Sequence, residues 1–232
     1  MVFDTETCNC PKIDGQLDTK NAQFYDFGLQ IIDINGKVYC EYSIVNEDVF
    51  FGMPQAMREA YFADKIPQYV EGIHNKNYLV MNTVQIRNLI HRLCKEYDIA
   101  ACIAHNARFD ITATNATLRY QTKSRYRWFF PYGMPILDTM KMAKATICQD
   151  EKYITFCKNN GYMTNHAVPQ VRKTAEILWR YLTQNDEFIE SHTGLEDVKI
   201  EAQIFVTCAK MDNEGIAPSL AAGANNRCYI TK

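Results

Sequence analysis

Two runs of aromatic and β-branched residues, 24–34 and 37–45, flank Asn35-Gly36. Asn-Gly between such runs is the strongest short-range hairpin signal, because both residues accept the positive φ that a tight turn requires. Ahead of them, Met1-Val2-Phe3-Asp4 reads as a short apolar strand, and the polar stretch 9–22, with Asp14-Gly15 inside it, reads as a loop. Three strands thus open the chain, the second and third antiparallel. Residues 54–70 and 82–97 read as helices; in the second, Val84, Ile86, Leu89, Ile90 and Leu93 recur at mixed three and four spacing. A short continuous apolar run at 99–104 suits a buried strand, 107–120 a helix, and 134–137 another strand, with helical patterns near 139–147, 150–159 and 169–184.

The last helix has the clearest start. Thr193 as N-cap with Glu196 three residues on fits a capping box. Leu195, Val198, Ala202, Phe205 and Ala209 then repeat at three and four to give one apolar face. Strands first and helices interleaved later indicate an α/β domain with a mixed sheet. Residues 1–216 are taken as that domain, and the small, polar stretch 217–232 as a C-terminal tail.

Composition narrows the functional classes. At 47% hydrophobic and 12% aromatic, a chain of 232 residues can fill a packed core. It has no apolar run long enough to cross a membrane and no charged leader followed by an apolar stretch, so no membrane partner and a cytoplasmic location are expected. The nine cysteines are scattered and read as reduced thiols. Cys8 and Cys10 are the only close pair, with no second pair to complete a zinc site. The net charge of −2 lacks the basic excess of a non-specific nucleic-acid binder. It is compatible with an enzyme that gathers acids around metals and places cations elsewhere. Residues 119–144 do the latter: Arg119, Lys123, Arg125, Arg127, Lys141 and Lys144 stand against one acid, Asp138, with Tyr120, Tyr126, Trp128, Phe129 and Phe130 among them. Cations for phosphates and aromatic faces for bases are what single-strand binding combines.

The candidate chemistry is carboxylate chemistry. Asp4 and Glu6 are two apart at the end of the first strand and so point to one face, where hard cations could take their oxygens. Asp110 follows a buried strand at the start of a helix, and Asp197 lies in the first turn of the last helix with His192 on the loop before it. Asn106 is placed to cap the helix that carries Asp110. His74, His91, His105 and His166 read as structural or surface residues.

Taken in order, Phe3-Asp4-Thr5-Glu6-Thr7, His105-Asn106-Ala107-Arg108-Phe109-Asp110 and His192-Thr193-Gly194-Leu195-Glu196-Asp197 resemble the three motifs of the DEDDh (DnaQ-like) exonucleases, with Leu137-Asp138-Thr139 a further shared feature. The histidine five residues before Asp197 selects the histidine branch. The resemblance spans residues 1–211. It implies a ribonuclease-H-like fold, a mixed five-stranded sheet whose second strand runs antiparallel, flanked by helices. It also implies a metal-dependent 3′→5′ exonuclease that hydrolyses terminal phosphodiester bonds with two Mg²⁺ or Mn²⁺ ions and releases nucleoside 5′-monophosphates. Asp4 would bridge both ions, Glu6 and Asp197 complete one site, Asp110 help hold the other, and His192 act as general base. Thr5, Thr7, Asn106, Phe109, Arg125, Arg127 and Trp128 are assigned to the substrate, taken first as the 3′ end of single-stranded DNA. A polymerase or replication complex is the further class of partner. The alternatives are an RNA-directed exonuclease of the same family and a non-catalytic nucleic-acid-binding module. Two departures stand out: the polar stretch after Thr7 is longer than the family's turn, and the basic, aromatic stretch is inserted before Asp138.

Overall fold

The computed structural model describes residues 1–8, 12–13, 16–17 and 22–212. Its strands are β1 (Val2–Cys8), β2 (Lys12–Ile13), β3 (Gln16–Leu17), β4 (Gln23–Ile32), β5 (Val38–Asn46), β6 (Leu79–Met81), β7 (Cys102–Ala104) and β8 (Ile136–Asp138). Its helices are α1 (Glu47–Phe50), α2 (Pro54–Arg58), α3 (Ile66–His74), α4 (Thr83–Glu96), α5 (Arg108–Thr122), α6 (Thr139–Ala145), α7 (Glu151–Asn159), α8 (Ala175–Thr183) and α9 (Gly194–Met211). The main sheet runs β6-β5-β4-β1-β7-β8, with β4 alone antiparallel to its neighbours. This is the expected α/β mixed sheet with one antiparallel strand, corrected from five strands to six by the edge strand β6. The three residues of β6 are partly or fully exposed, so neither hydrophobic alternation nor burial marks them in the sequence.

The expected β4–β5 hairpin forms, but only Gly36 of its turn pair takes a positive φ, and residues 33–37 connect the strands. Gly36 takes φ 89°, and the Asp33 carboxylate accepts the Asn35 and Lys37 amides at 2.9 and 3.0 Å. Side chains alternate across the sheet and build a core on each face. On one face, Phe3, Phe27, Leu29 and Ile31 meet Ile86, Leu89 and Ile90 of α4, Leu118 of α5, and Phe129. On the other, Val2, Ile103 and Leu137 meet Val198, Ala202 and Phe205 of α9, with α6, α7 and α8 outside it.

Several expected elements differ from the structure. The first strand does not stop at Glu6 but pairs with β4 as far as Cys8, through a register shift between Glu6 and Thr7. Within the expected loop 9–22, β2 and β3 pair antiparallel. Asp14-Gly15, Cys10 and the tail 217–232 lie outside the described residues. The helix expected at 54–70 is broken into α2, a 3₁₀ turn (Ala63–Lys65) and α3, because Pro54 and Pro67 each open their own helix. The helix expected at 169–184 begins only at Ala175, since Val171 is bridged to Met163. Among the described residues no cysteine is in a disulfide, and no helix is long and apolar enough to cross a membrane.

Candidate active site

β1 sets the site by alternation. Val2 packs on the α9 side of the sheet and Phe3 on the α4–α5 side, so Asp4 and Glu6 face α9 and Thr5 faces α5. From α9, Asp197 in the first turn is buried, and Glu201 one turn further along the same face is 3% exposed. Asp110 enters from the first turn of α5, and the Thr5 hydroxyl donates to its Oδ1 at 2.7 Å. One donor atom each from Glu6, His192 and Asp197 lie within 4.8 Å of one another. Asp4 and Asp110 stand outside that trio, yet both act on the same set of charges.

Burial first, then the neighbouring acids Glu201, Asp110, Glu6 and Asp197, push the Asp4 carboxyl well above the usual range. Glu6 is raised by burial and then by Asp197, while Lys65 opposes the shift. Burial raises Asp110 to about 7, opposed by the bond from Thr5, and burial with Glu190 raises Asp197 to about 8. Glu201 is raised by burial and then by Asp110 and Asp197. Among the described residues, no lysine or arginine forms an ion pair with these five carboxyls. Oxygen donors that crowd one another without a cation fit hard divalent ions such as Mg²⁺ or Mn²⁺.

This electrostatic strain has a measurable consequence. Asp110 and Asp197 hold their protons in the folded state to about pH 7 and 8, but release them near pH 4 when unfolded. Between those limits the folded state binds more protons, so stability falls as pH rises. In EDTA the melting temperature should therefore be higher at pH 5 than at pH 8, and Mg²⁺ should raise it most at pH 8. A melting temperature that climbs from pH 5 to pH 8 without metal, followed by scanning fluorimetry, would contradict this reading.

His192 sits on a strained loop at φ 49° with about a third of its side chain exposed. Its ring stacks on Phe62, centroids 4.4 Å apart and planes 19° from parallel. Lys65 donates to the Ser191 carbonyl and, at 3.4 Å, to that of His192, tying the loop to the turn before α3. Glu190 Oε2 lies 4.0 Å from His192 Nδ1. Burial and then Lys65 lower the His192 pKa, so the imidazole is neutral at neutral pH.

The capping box expected at α9 does not form. Thr193 makes no side-chain cap bond; its hydroxyl lies 3.1 Å from that of Ser191, and Glu196 pairs with Lys199 instead. The α9 N-terminus is met from another element: buried Asp26 of β4 accepts the Gly194 amide at 2.8 Å and the Tyr69 hydroxyl of α3 at 2.7 Å. Asn106 likewise does not cap α5, whose N-cap is Ala107 with no side-chain bond. Asn106 takes φ 60° and gives its amide to Asp138 Oδ1 at 3.2 Å. Asp138 caps α6 through the Met140 and Lys141 amides. His105 is structural: its ring nitrogens lie 2.9 Å from the Thr139 hydroxyl and 2.8 Å from the Lys173 carbonyl, and burial lowers its pKa to about 4.

Of the residues assigned to substrate, Thr5 is buried against Asp110, Thr7 and Phe109 are partly buried, and Asn106 is exposed. Arg125, Arg127 and Trp128 belong to the exposed segment after α5. Sequence reasoning misses Glu201, Glu190, Asp26 and Lys65. Glu201 carries a signal, since it follows Asp197 by four on a helix whose apolar face is evident. Asp26 and Lys65 carry none, because only the tertiary fold brings them to α9 and its loop.

No protein-family model and no curated protein matches the chain. Among solved structures it is similar to one described as Exonuclease X in complex with 5′ overhanging duplex DNA. The identity is 16%, the match covers 96% of this chain and 97% of that one, and the TM-score is 0.49.

Proposed function

We propose that the protein is a metal-dependent 3′→5′ exonuclease acting on the 3′ end of single-stranded DNA. The observation that carries this reading is the convergence of buried, cation-poor carboxyls from three separate elements beside a partly exposed, neutral histidine. The order of the three motifs along the chain supports it. Asp4, Glu6, Asp110 and Asp197 would hold two Mg²⁺ or Mn²⁺ ions, with Glu201 behind them. When bound, such ions lower the pKa of an attacking water and stabilise charge on the phosphoryl and leaving oxygens.

The protein's own groups do the rest. His192, neutral at working pH, accepts the proton of the attacking water as its oxygen bonds to phosphorus. The bond from phosphorus to the 3′ oxygen of the preceding nucleotide breaks, and that oxygen takes a proton from solvent, leaving a 3′ hydroxyl on the strand and a released nucleoside 5′-monophosphate. Thr5 fixes Asp110 through its hydroxyl, and Phe62 and Lys65 hold the loop that aims His192. Thr7, Asn106 and Phe109, neighbours in sequence of Glu6 and Asp110, would meet the terminal nucleotide, with Arg125, Arg127 and Trp128 further along the strand. Residues 1–216 would form the catalytic unit.

The test is digestion of 5′-labelled single-stranded DNA, duplex DNA and RNA with Mg²⁺, Mn²⁺ or EDTA. A metal-dependent ladder that shortens stepwise from the 3′ end is expected, with the rate in His192→Ala lower by about 10²- to 10⁴-fold. The strand cut fastest identifies the sugar and strandedness. Binding without metal-dependent product from any strand would replace the enzyme with a non-catalytic binding module.

A further inference from the structure

Away from the carboxyls, a cavity of about 330 Å³ lies between α5 and the segment 128–136. Along α5 it is lined by Arg108, Ile111 and Asn115, and opposite them by Trp128, Tyr132 and Met134. Residues 108, 111, 112 and 115 share one face of the helix, so the cavity follows α5 for about 10 Å. Its upper end is Arg108, two residues before Asp110.

The wall is built rather than loose. Arg87 Nε donates to the Trp128 carbonyl at 2.8 Å, and Asn115 Oδ1 accepts the Phe129 amide at 2.9 Å. The His91 ring nitrogen lies 2.9 Å from the Phe129 carbonyl. With its backbone pinned, Trp128 still leaves 52% of its surface exposed, and Tyr132 leaves 95%. An exposed indole on a pinned backbone, beside a second exposed ring and a cavity, forms an apolar surface that a partner can cover. The Arg119 guanidinium lies over the Trp128 ring, 5.1 Å from its centroid. Between residues 119 and 137 there are four cations and no acid. Such a field fits a polyanion, and the flat rings fit its bases.

Deepening the exonuclease reading, we infer that this cavity is a second nucleic-acid subsite, which takes an unpaired base of the strand whose 3′ end reaches the carboxyls. The base stacks on Trp128 and Tyr132, and Arg108 meets a phosphate between this subsite and the reacting end. Duplex DNA is disfavoured there, because its bases are already stacked on one another. The cavity thereby prefers an unpaired strand and holds it while the terminal nucleotide leaves.

The experiment uses the full chain in EDTA, so that nothing is hydrolysed. Binding of a labelled ten-nucleotide single strand is followed by anisotropy, beside a strand of equal length and charge whose internal positions are abasic. Trp128→Ala should weaken binding of the base-bearing strand by about 5- to 100-fold, the range for losing one base–aromatic stack. Trp128→Phe should restore most of the affinity, and Trp128→Ala should leave the abasic strand's weaker binding unaltered. In Trp179→Phe, where Trp128 is the sole tryptophan, the base-bearing strand should quench emission and the abasic strand should not. Equal affinity of wild type and Trp128→Ala, or of the two strands, would overturn the subsite. So would strand-independent self-association that Trp128→Ala abolishes, which would make the cavity a contact between copies of the chain. Because binding is read without metal, an inactive protein that binds this way would refute only the exonuclease reading.

Discussion

Asp4→Asn is expected to remove hydrolysis almost completely and, in the same protein, to raise the stability of the metal-free fold. Both effects have one origin. Asp4 sits between β1 neighbours and α9, where burial and then Glu201, Asp110, Glu6 and Asp197 all oppose its charge. Asparagine keeps the shape and deletes that charge. If the proposed function holds, the site then loses one of the four carboxylates assigned to the ions, and the rate should fall by more than about 10³-fold. Without metal, the remaining acids have one fewer repulsive neighbour. The EDTA melting temperature at pH 8 should therefore rise, by roughly 2–4 °C for each ~1 kcal/mol relieved in a chain of this size. The rise that Mg²⁺ produces in the wild type should shrink or vanish. Single-turnover digestion and melts with and without EDTA measure both arms. A variant within tenfold of wild-type rate, or one less stable without metal, would show that Asp4 is an ordinary structural acid. The pairing of lost activity with gained stability separates a functional residue from a structural one, since replacing a structural residue lowers both.

The legibility of this protein in its sequence follows how local each feature is. The β4–β5 hairpin is readable because Asn35-Gly36 and the flanking alternation lie within a few residues of each other. The position of Asp197 is readable for the same reason, as part of a helix with a strong three-four repeat. The alternation of β1 puts Asp4 and Glu6 on one face, and the structure keeps them there. Capping is where the local pattern fails. Thr193 and Asn106 have cap chemistry, yet neither side chain caps its helix, and Asn106 lies one residue before the N-cap, Ala107. At α9 the amide is taken by Asp26, 168 residues earlier in the chain, and no local pattern encodes that bond. The expected single apolar face of α9 is also too narrow. Ile200, Ile204, Val206 and Cys208 are buried as well, because the sheet covers one side of the helix and α6 and α8 cover another. A helix buried on two sides loses the contrast that periodicity reads. Glu201 keeps one local signal, its spacing of four from Asp197 on the same helix.

Among the described glycines, Gly28→Ala is expected to be the most damaging alanine substitution. Gly28 lies opposite Asp4 in the β1–β4 register, on the face that α9 covers. A Cβ at this position would stand 2.1 Å from the Gly194 carbonyl carbon, and 2.3 Å from both the Gly194 oxygen and the Leu195 nitrogen. All three are backbone atoms, so no rotamer change can make room; β4 and the N-terminus of α9 must part. Overpacking a core costs about 1–3 kcal/mol when side chains can yield, and here they cannot. We expect a loss of about 3 kcal/mol or more, a fall in melting temperature of roughly 6–12 °C. The displacement would fall where it matters for chemistry, since the first turn of α9 carries Asp197 and the loop before it carries His192. A misplacement of about 1 Å can cost on the order of 10²-fold in rate, so surviving protein should also be slow. Gly133→Ala is the informative contrast. Gly133 has φ 78° but no atom within 4 Å of the place its Cβ would take, so only the strain of a left-handed alanine applies, about 1–2 kcal/mol. If space at the strand–helix contact is the decisive term, Gly28→Ala must be clearly the worse of the two in thermal melts. Equal losses would mean that glycine's backbone freedom, rather than the close approach of α9 to β4, is what position 28 requires.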